Sequence, residues 1–197
     1  IYWNMRYAPP KVAEGGAKAD WSSTFGPLAL PGTYTVRITS GNMKASGSLQ
    51  LINDPISSYS EMERKESSEA QWKAFSIHER LGYLMDTVLF FYKPLKELDK
   101  TGTLTPQQRA FLDSLEVIRS SMVAVKEGTA LTGEEKIREK LSELYYGVLF
   151  YEGRPTQSQR DKMKALDQEI EEVRNKLLAV KLMYPGAAAP KRQNAPK

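Results

Sequence analysis

The chain has 197 residues, of which 41% are hydrophobic and 26% are charged, and it contains no cysteine. This composition is typical of a folded protein and allows one large domain or two small ones. Without cysteine there is no disulfide scaffold, thiolate zinc site, iron–sulfur cluster or cysteine nucleophile. The single histidine, His78, excludes a multi-histidine metal cage and leaves little room for a Ser-His-Asp enzyme.

The formal net charge of +4 comes almost entirely from the last residues, where Lys191, Arg192 and Lys197 contribute three charges. Residues 1–55 carry five basic and three acidic groups, and residues 56–184 carry 20 basic and 21 acidic groups. No part of the pattern forms a basic stripe with interleaved aromatics, so we predict no nucleic-acid partner.

Composition divides the chain into three parts. Residues 1–55 are rich in Gly, Pro, Ser and Thr, residues 56–184 in Glu, Lys, Leu and Gln, and residues 185–197 lack large apolar side chains. We predict a β region, a helical domain and a disordered tail, respectively. The first residues lack a basic stretch followed by an apolar one, so we predict no signal peptide within this chain. No run of about 18 apolar residues occurs, so we also expect no membrane span. Since the chain begins at Ile1, we interpret it as a piece of a longer polypeptide.

Strand patterns dominate the first part. Residues 33–39 alternate strictly between apolar and polar side chains, which predicts a half-buried strand, and Pro31-Gly32 before it suits a type II turn. A turn at 40–42 and a returning strand at 44–52 complete a hairpin. A third strand is predicted from the alternation of Trp3, Met5 and Tyr7. A long loop is expected over residues 8–26.

Three or four strands are too few for a closed sandwich, which has about seven. Two arrangements stay open: an Ig-like sandwich whose earlier strands lie outside this chain, and a small sheet packed on the helices. We favour the truncated Ig-like sandwich for residues 1–55.

Apolar residues then recur every 3.5 residues in four stretches, over 77–98, 111–125, 137–151 and 163–180. This period predicts four helices that pack at shallow angles with a left-handed supercoil. The first helix is expected from about Ser60 to Leu98, with Pro94 inside it as a kinked continuation. The polar residues 57–68 could be linker or helix.

Three capping boxes support these helices: Thr105–Gln108, Thr132–Glu135 and Thr156–Gln159. The connections are short, which makes sequential helices antiparallel. The predicted fold class is therefore α+β, with a small antiparallel, incomplete Ig-like sheet followed by an antiparallel four-helix heptad bundle.

Few residues could carry chemistry. His78 lies beside a core position with no second ligand, and we expect it at the surface or at the boundary of the core. Paired carboxylates such as Glu171-Glu172 and Glu61/Glu63 lie on helix faces predicted to be exposed or at helix starts, rather than across a cleft. No glycine-rich phosphate loop occurs. We predict no catalytic residue, no cofactor and no metal site.

Aromatic residues are the best candidates for contact with a carbohydrate or a protein partner. Trp3, Trp21 and Phe25 flank the predicted loop, and exposed aromatics can stack on sugar rings. A second group, at the end of the third helix, is expected to fill the junction between the two domains: Tyr145, Tyr146, Phe150 and Tyr151.

Three stretches taken together resemble a known family. They are residues 2–7 (YWNMRY), residues 26–38 (GPLALPGTYTVRI) followed by Asn53-Asp54-Pro55, and residues 144–147 (LYYG) followed by Arg154-Pro155-Thr156. In that order they resemble the C-terminal region of secreted bacterial proteins with BNR or sortilin-like (VPS10-type) β-propeller repeats, which are often labelled glycosyl hydrolases.

The resemblance implies an upstream propeller on the same polypeptide and a secreted, periplasmic or cell-surface location. It carries over no catalytic residue, because the propeller's own site would lie outside this chain. We therefore predict a non-catalytic accessory or scaffold module that mediates interdomain or protein–protein contacts. Two alternatives remain: a carbohydrate-binding module, and a self-associating helical interaction protein.

Overall fold

The computed structural model describes residues 2–15, 24–125 and 134–186. Two strands precede four helices, which confirms the predicted α+β class. The elements are β1 (Gly32–Ser40), β2 (Met43–Leu51), α1 (Glu61–Lys100), α2 (Pro106–Met122), α3 (Ile137–Leu149) and α4 (Gln157–Met183). Most of the predicted tail, residues 187–197, lies outside the described residues.

β1 and β2 form the antiparallel hairpin that the alternating pattern predicts. The register pairs Gly32 with Leu51 at the open end and Ser40 with Met43 beside the turn. Gly41 takes the first turn position with φ of +56°. Type II′ hairpin turns need a positive φ there, and glycine adopts it without a Cβ clash. Strand pattern and turn chemistry therefore specify the same hairpin.

The predicted third strand is wrong. The residues Trp3, Met5 and Tyr7 do not join the sheet, and their segment makes only an isolated bridge between Arg6 and Leu28. Met5 has φ of +57°, a left-handed conformation that interrupts the extended backbone a longer strand needs. Local alternation of side chains could not reveal this interruption.

The hairpin does not pack on the helices, so the alternative of a small sheet covered by them is also wrong. Among the described residues the sheet has two strands, and no Cα atom of either strand comes within 8 Å of a helix Cα atom. The hairpin projects from the helical body instead. Since a two-stranded ribbon is marginally stable by itself, this projection is the unusual feature of the fold.

α1 has 40 residues and is about 60 Å long. It begins at a capping box, in which the Ser60 hydroxyl accepts from the Glu63 N–H at 3.3 Å and the Glu63 carboxylate accepts from the Ser60 N–H at 2.9 Å. The polar stretch 57–68 is therefore largely helix rather than linker. The helix continues through Pro94 to Lys100, as the unbroken heptads indicate.

Two of the three predicted capping boxes start helices, namely Thr105–Gln108 and Thr156–Gln159. The third does not, because α3 begins at Ile137. Its predicted cap, Thr132, lies outside the described residues. The backbone at Lys136 is still extended, with φ of −107° and ψ of −174°, so the helix starts four residues later than the motif suggested.

The heptad positions form the core, as predicted. Most of them are buried: Ile77, Leu81, Val88, Leu95, Phe111, Leu115, Ile118, Met122, Ile137, Leu141, Leu144, Val148, Met163, Leu166, Ile170, Val173 and Leu177. Val125 and Tyr151 are exposed because α2 and α3 end before them.

α2 and α3 lie in succession along α1. Near the start of α2, Arg109 pairs with Asp99 at the end of α1. In α3, Tyr145 contacts His78 much earlier in α1. Tyr151, just after α3, accepts a hydrogen bond from Ser67 near the start of α1. Both helices therefore run antiparallel to α1.

α4 runs parallel to α1. Arg160 near its start pairs with Glu66, and Lys181 near its end lies over the ring of Phe91. α1 and α4 contact each other directly, and α2 and α3 pack in succession against both of them, so a cross-section of the helical body contains three helices. The expectation that every helix is antiparallel to the next holds for α1–α2 and α3–α4 but fails for α2–α3.

A hydrogen-bonded contact links the described ends of α2 and α3. Val123 is extended, with φ of −134° and ψ of 143°, so α2 ends at this residue. The Glu139 carboxylate accepts the N–H of Ala124 at 3.1 Å and that of Lys136 at 3.2 Å. One side chain therefore holds the end of α2 beside the start of α3.

The N-terminal segment, residues 2–15, packs across α1. Ala13 joins the core of the helices, and Lys11 forms an ion pair of 2.9 Å with Asp86. Gly82 permits this approach, because a Cβ there would lie 2.9 Å from the Lys11 carbonyl oxygen. The loop predicted over residues 8–26 is therefore, in its described N-terminal part, a strap bound to the bundle.

Candidate interaction surface

One face of the hairpin is apolar and exposed. Val36, Ile38 and Leu49 have exposed fractions of 42%, 48% and 42%. The register places further uncharged residues on the same face, namely Tyr34, Met43, Ala45 and Gly47 along it and Gly32, Ser40 and Leu51 at its two ends. An apolar strand face that none of the described helices covers is typical of an interaction surface.

The opposite face of the hairpin is polar. It pairs Thr33 with Gln50, Thr35 with Ser48, Arg37 with Ser46, and Thr39 with Lys44. Arg37 and Lys44 are the charged residues of the two strands, and both are basic. The ribbon is therefore amphipathic, with its charge confined to one side.

Trp3 closes the base of the apolar face. Its ring centroid lies 5.3 Å from that of Tyr34, and its indole N–H donates to the Arg6 carbonyl at 3.2 Å. The Tyr34 hydroxyl donates to the Leu30 carbonyl at 2.5 Å, and desolvation raises the pKa of this phenol, with Tyr7 as a further cause. Trp3, predicted as a contact residue, thus packs on the hairpin while remaining 39% exposed.

A row of aromatic rings continues from this base to α1. Tyr7 and Trp72 have centroids 4.9 Å apart at 67°, and Trp72 and Phe75 are 5.1 Å apart at 60°. A sugar ring stacks on an open aromatic face. These edge-to-face pairs are instead the geometry of rings packed on one another.

Phe25 lies in a different cluster from Trp3. Its ring is 5.6 Å from that of Phe150, and the Arg6 guanidinium lies 5.9 Å and 5.0 Å from these two rings. Arg6 also donates to the Gly26 carbonyl at 3.1 Å, and burial lowers its pKa. The Tyr145 hydroxyl donates to the Phe25 carbonyl at 3.0 Å.

The predicted aromatic site is therefore divided. Trp3 belongs to the hairpin base and Phe25 to the end of α3, while Trp21 lies outside the described residues. Phe25, predicted as a contact residue for a partner, packs its ring on Phe150 at the end of α3.

A buried polar network fixes the segment beneath the hairpin. The Leu28 N–H donates to the Gln71 side-chain oxygen at 3.1 Å. The Gln71 amide donates to the Ser67 hydroxyl at 3.3 Å, which in turn donates to the Tyr151 carbonyl at 2.8 Å. Sequence reasoning missed this network. Its signal was the polar and small residues at heptad spacing before Ile77, where larger apolar side chains would be expected.

A cleft of about 310 Å³ opens between the base of the hairpin, residues 28–31 and α1. Residues 28–31 and the end of β2 supply most of its apolar wall, and the α1 residues that line it are polar. Residues lining it include Met5, Leu30, Leu51, Arg64, Ser68 and Gln71. Apolar clefts with a few polar groups commonly receive side chains or small ligands, so this cleft extends the candidate surface.

The structure places His78 in the core rather than at the surface. It is fully buried, and its ring lies 5.2 Å from the ring of Tyr145. α1 contacts both α3 and α4. Because two helices flank it, the position next to Ile77 is also covered, and the expectation of a surface or boundary histidine is wrong.

Two of the paired carboxylates, Glu63 and Glu171, have pKa values below their usual range. The hydrogen bond from Arg174 holds the pKa of Glu171 below its usual value, and Arg80 acts in the same direction. Hydrogen bonds from Ser60 lower the pKa of Glu63. A general acid needs a raised pKa. Within the described residues no group of three or more His, Asp or Glu side chains could hold a metal ion.

The chain matches no known protein family, no curated protein and no solved structure. The surface must therefore be interpreted from its own geometry. None of the helices among the described residues is both long enough and apolar enough to cross a membrane. The candidate surface is therefore an amphipathic hairpin that projects from a packed helical body, with a cleft at the base of the hairpin.

Proposed function

We propose that this chain is a non-catalytic accessory module of a secreted multidomain β-propeller protein, and that its hairpin contacts a β-rich part of that protein. The observation that supports the proposal is the apolar hairpin face formed by Val36, Ile38 and Leu49, which no helix in the described part of the chain covers. The family resemblance described above includes the sequence of β1. The same strand therefore supports both the link to a β-propeller protein and the proposed contact.

The energetics favour a contact at this face. Fully burying a Val, Leu or Ile side chain stabilises by about 1.5–3 kcal/mol, so covering the exposed half of each of these three contributes about 1 kcal/mol. A hairpin alone is marginal. Binding of the partner would therefore stabilise the hairpin, and burial of the apolar face would contribute to the affinity of the complex.

A second candidate, carbohydrate binding, rests on the partial exposure of Trp3 at the hairpin base. The rings around it meet at 59–67° and leave no flat pair of faces side by side. This geometry favours protein packing over sugar stacking, and we keep protein contact as the primary function.

The first prediction tests the apolar face. Val36→Lys should weaken binding to the separately expressed β-propeller of the parent polypeptide about tenfold or more, because it places a charge in an apolar contact. Thr35→Lys adds the same charge on the polar face and should change the dissociation constant little. Isothermal titration calorimetry measures both variants.

Circular dichroism of the two variants should show unchanged helix content. Equal losses from Val36→Lys and Thr35→Lys would contradict the proposal, as would a propeller that does not bind the unaltered chain. Glycan-array binding that Trp3→Ala abolishes would support the carbohydrate alternative instead.

A further inference from the structure

The free edge of β1 carries backbone groups that β2 does not use. The pair beside a two-residue hairpin turn is hydrogen-bonded, and bonded and non-bonded pairs alternate from there. Ser40 and Met43 form that pair, so Tyr34, Val36 and Ile38 direct their backbone groups toward β2. The residues whose N–H and C=O groups point outward are Thr33, Thr35, Arg37 and Thr39.

The outer edge of β1 suits strand addition better than that of β2. β1 has the sequence GTYTVRITS, rich in β-branched residues, whereas β2 has MKASGSLQL, with Ala, Ser and Gly at its centre. β-Branched residues fit a pleated strand, and glycine weakens one. In the part of the chain that the structure describes, no strand pairs with this edge of β1.

Charge indicates what an added strand would carry. Arg37 lies at the middle of the β1 edge, and neither strand contains an acidic residue. Opposite charges on directly paired strand residues stabilise a sheet, and like charges destabilise it. A strand with an acidic residue opposite Arg37 is therefore the complementary occupant.

We propose that the outer edge of β1 accepts an acidic β-strand of the partner, which extends the hairpin into a three-stranded sheet. This inference rests on the proposed function and names the partner's chemistry. The partner strand pairs its backbone with the outward groups of β1 and places an acidic residue opposite Arg37. Its alternate, apolar residues continue the face of Val36 and Ile38, as in other cases of strand addition.

A capped nonapeptide of alternating Thr and Val with a central Glu, Thr-Val-Thr-Val-Glu-Val-Thr-Val-Thr, serves as the probe. At millimolar concentration it should shift the amide signals of residues 33–39 in ¹⁵N-resolved spectra of the chain. The same peptide with a central Lys should have a dissociation constant at least about threefold higher, as expected for the loss of one exposed charge pair.

Proline substitutions separate the two edges. Thr35→Pro removes an outward N–H from β1 without removing a β1–β2 hydrogen bond, and it should weaken peptide binding about tenfold or more. Ser48→Pro is the matched control, since Ser48 is the partner of Thr35 in the register and points its N–H to the opposite edge. It should leave the binding unchanged.

Arg37→Glu gives a second test that keeps the backbone intact. This variant should reverse the preference, so that the Lys-centred peptide binds more tightly than the Glu-centred one. Equal effects of the two proline variants together with an unreversed preference in Arg37→Glu would overturn the inference. If Val36→Lys abolishes propeller binding but Thr35→Pro and Arg37→Glu do not alter it, the proposed function stands and the edge inference fails.

Discussion

Gly82 lies in the middle of α1, where its missing side chain makes room for Lys11 of the N-terminal segment. Glycine in a helix interior is unfavourable by about 1 kcal/mol relative to alanine. The close approach of the strap explains why it is tolerated here. Gly147 in α3 has no such neighbour, since a Cβ there would be 3.8 Å from the Gln159 amide nitrogen.

These two helical glycines should respond oppositely to alanine. Gly147→Ala should stabilise the protein by about 0.5–1 kcal/mol through helix propensity. Gly82→Ala should instead destabilise it by about 1–3 kcal/mol, because its Cβ would force the Lys11 backbone away. Urea denaturation followed by circular dichroism measures both. A stabilised Gly82→Ala protein would show that the strap is not held at this point.

The helices owe their positions to a few polar contacts between them as well as to the core. Asp99 at the end of α1 pairs with Arg109 in the first turn of α2 and with Lys96 at 3.6 Å. The hydrogen bond from Arg109 is the main cause that lowers the pKa of Asp99. This pair fixes the α1–α2 turn, as Glu139 fixes the α2–α3 joint.

The lowered pKa of Asp99 predicts a loss of stability in acid. A carboxyl whose pKa is lower in the folded than in the unfolded state stabilises the fold above its unfolded value, near 3.8. That contribution disappears as the pH falls through the lower, folded value. Asp99→Asn should therefore lower the thermal midpoint at pH 6 and reduce its fall between pH 4 and pH 2. Parallel pH profiles for the variant and the unaltered chain would contradict this interpretation.

At the scale of the whole molecule, the chain combines a rigid helical body with a hairpin that projects from it. The core joins all four helices with Ala13 of the N-terminal strap, whereas nearly every residue of the two strands is exposed. Local stability differs between parts of a protein, and regions with few buried contacts unfold first. The hairpin and the helices should therefore unfold separately.

Gly41→Val tests this independence. Valine at a φ of +56° costs about 1–2 kcal/mol, which is enough to open a marginal hairpin. Amides of β1 and β2 should lose protection in hydrogen exchange, while the helical thermal midpoint stays unchanged. A midpoint that falls together with hairpin protection would show that the two parts are coupled.

Periodicity determined much of the fold. The 3.5-residue repeats located the helices and most of their buried positions, because a side chain's place on a helix face follows from its spacing alone. Strand alternation and the turn at Gly41 located the hairpin. Two capping boxes placed helix starts to the residue, since a cap is a contact between neighbours in the sequence.

Contacts between residues far apart in the sequence could not be predicted from these local patterns. The direction of α3, the burial of His78, the Gln71 network and the separation of Trp3 from Phe25 each depend on which segments meet in space. The hydrogen bond from Leu28 to Gln71 spans 43 residues, and no local spacing encodes it. The amino-acid sequence by itself thus determined the elements and their apolar faces. Only the tertiary structure decided that the helices cover one another and leave the hairpin face open, because burial is a property of the packed chain.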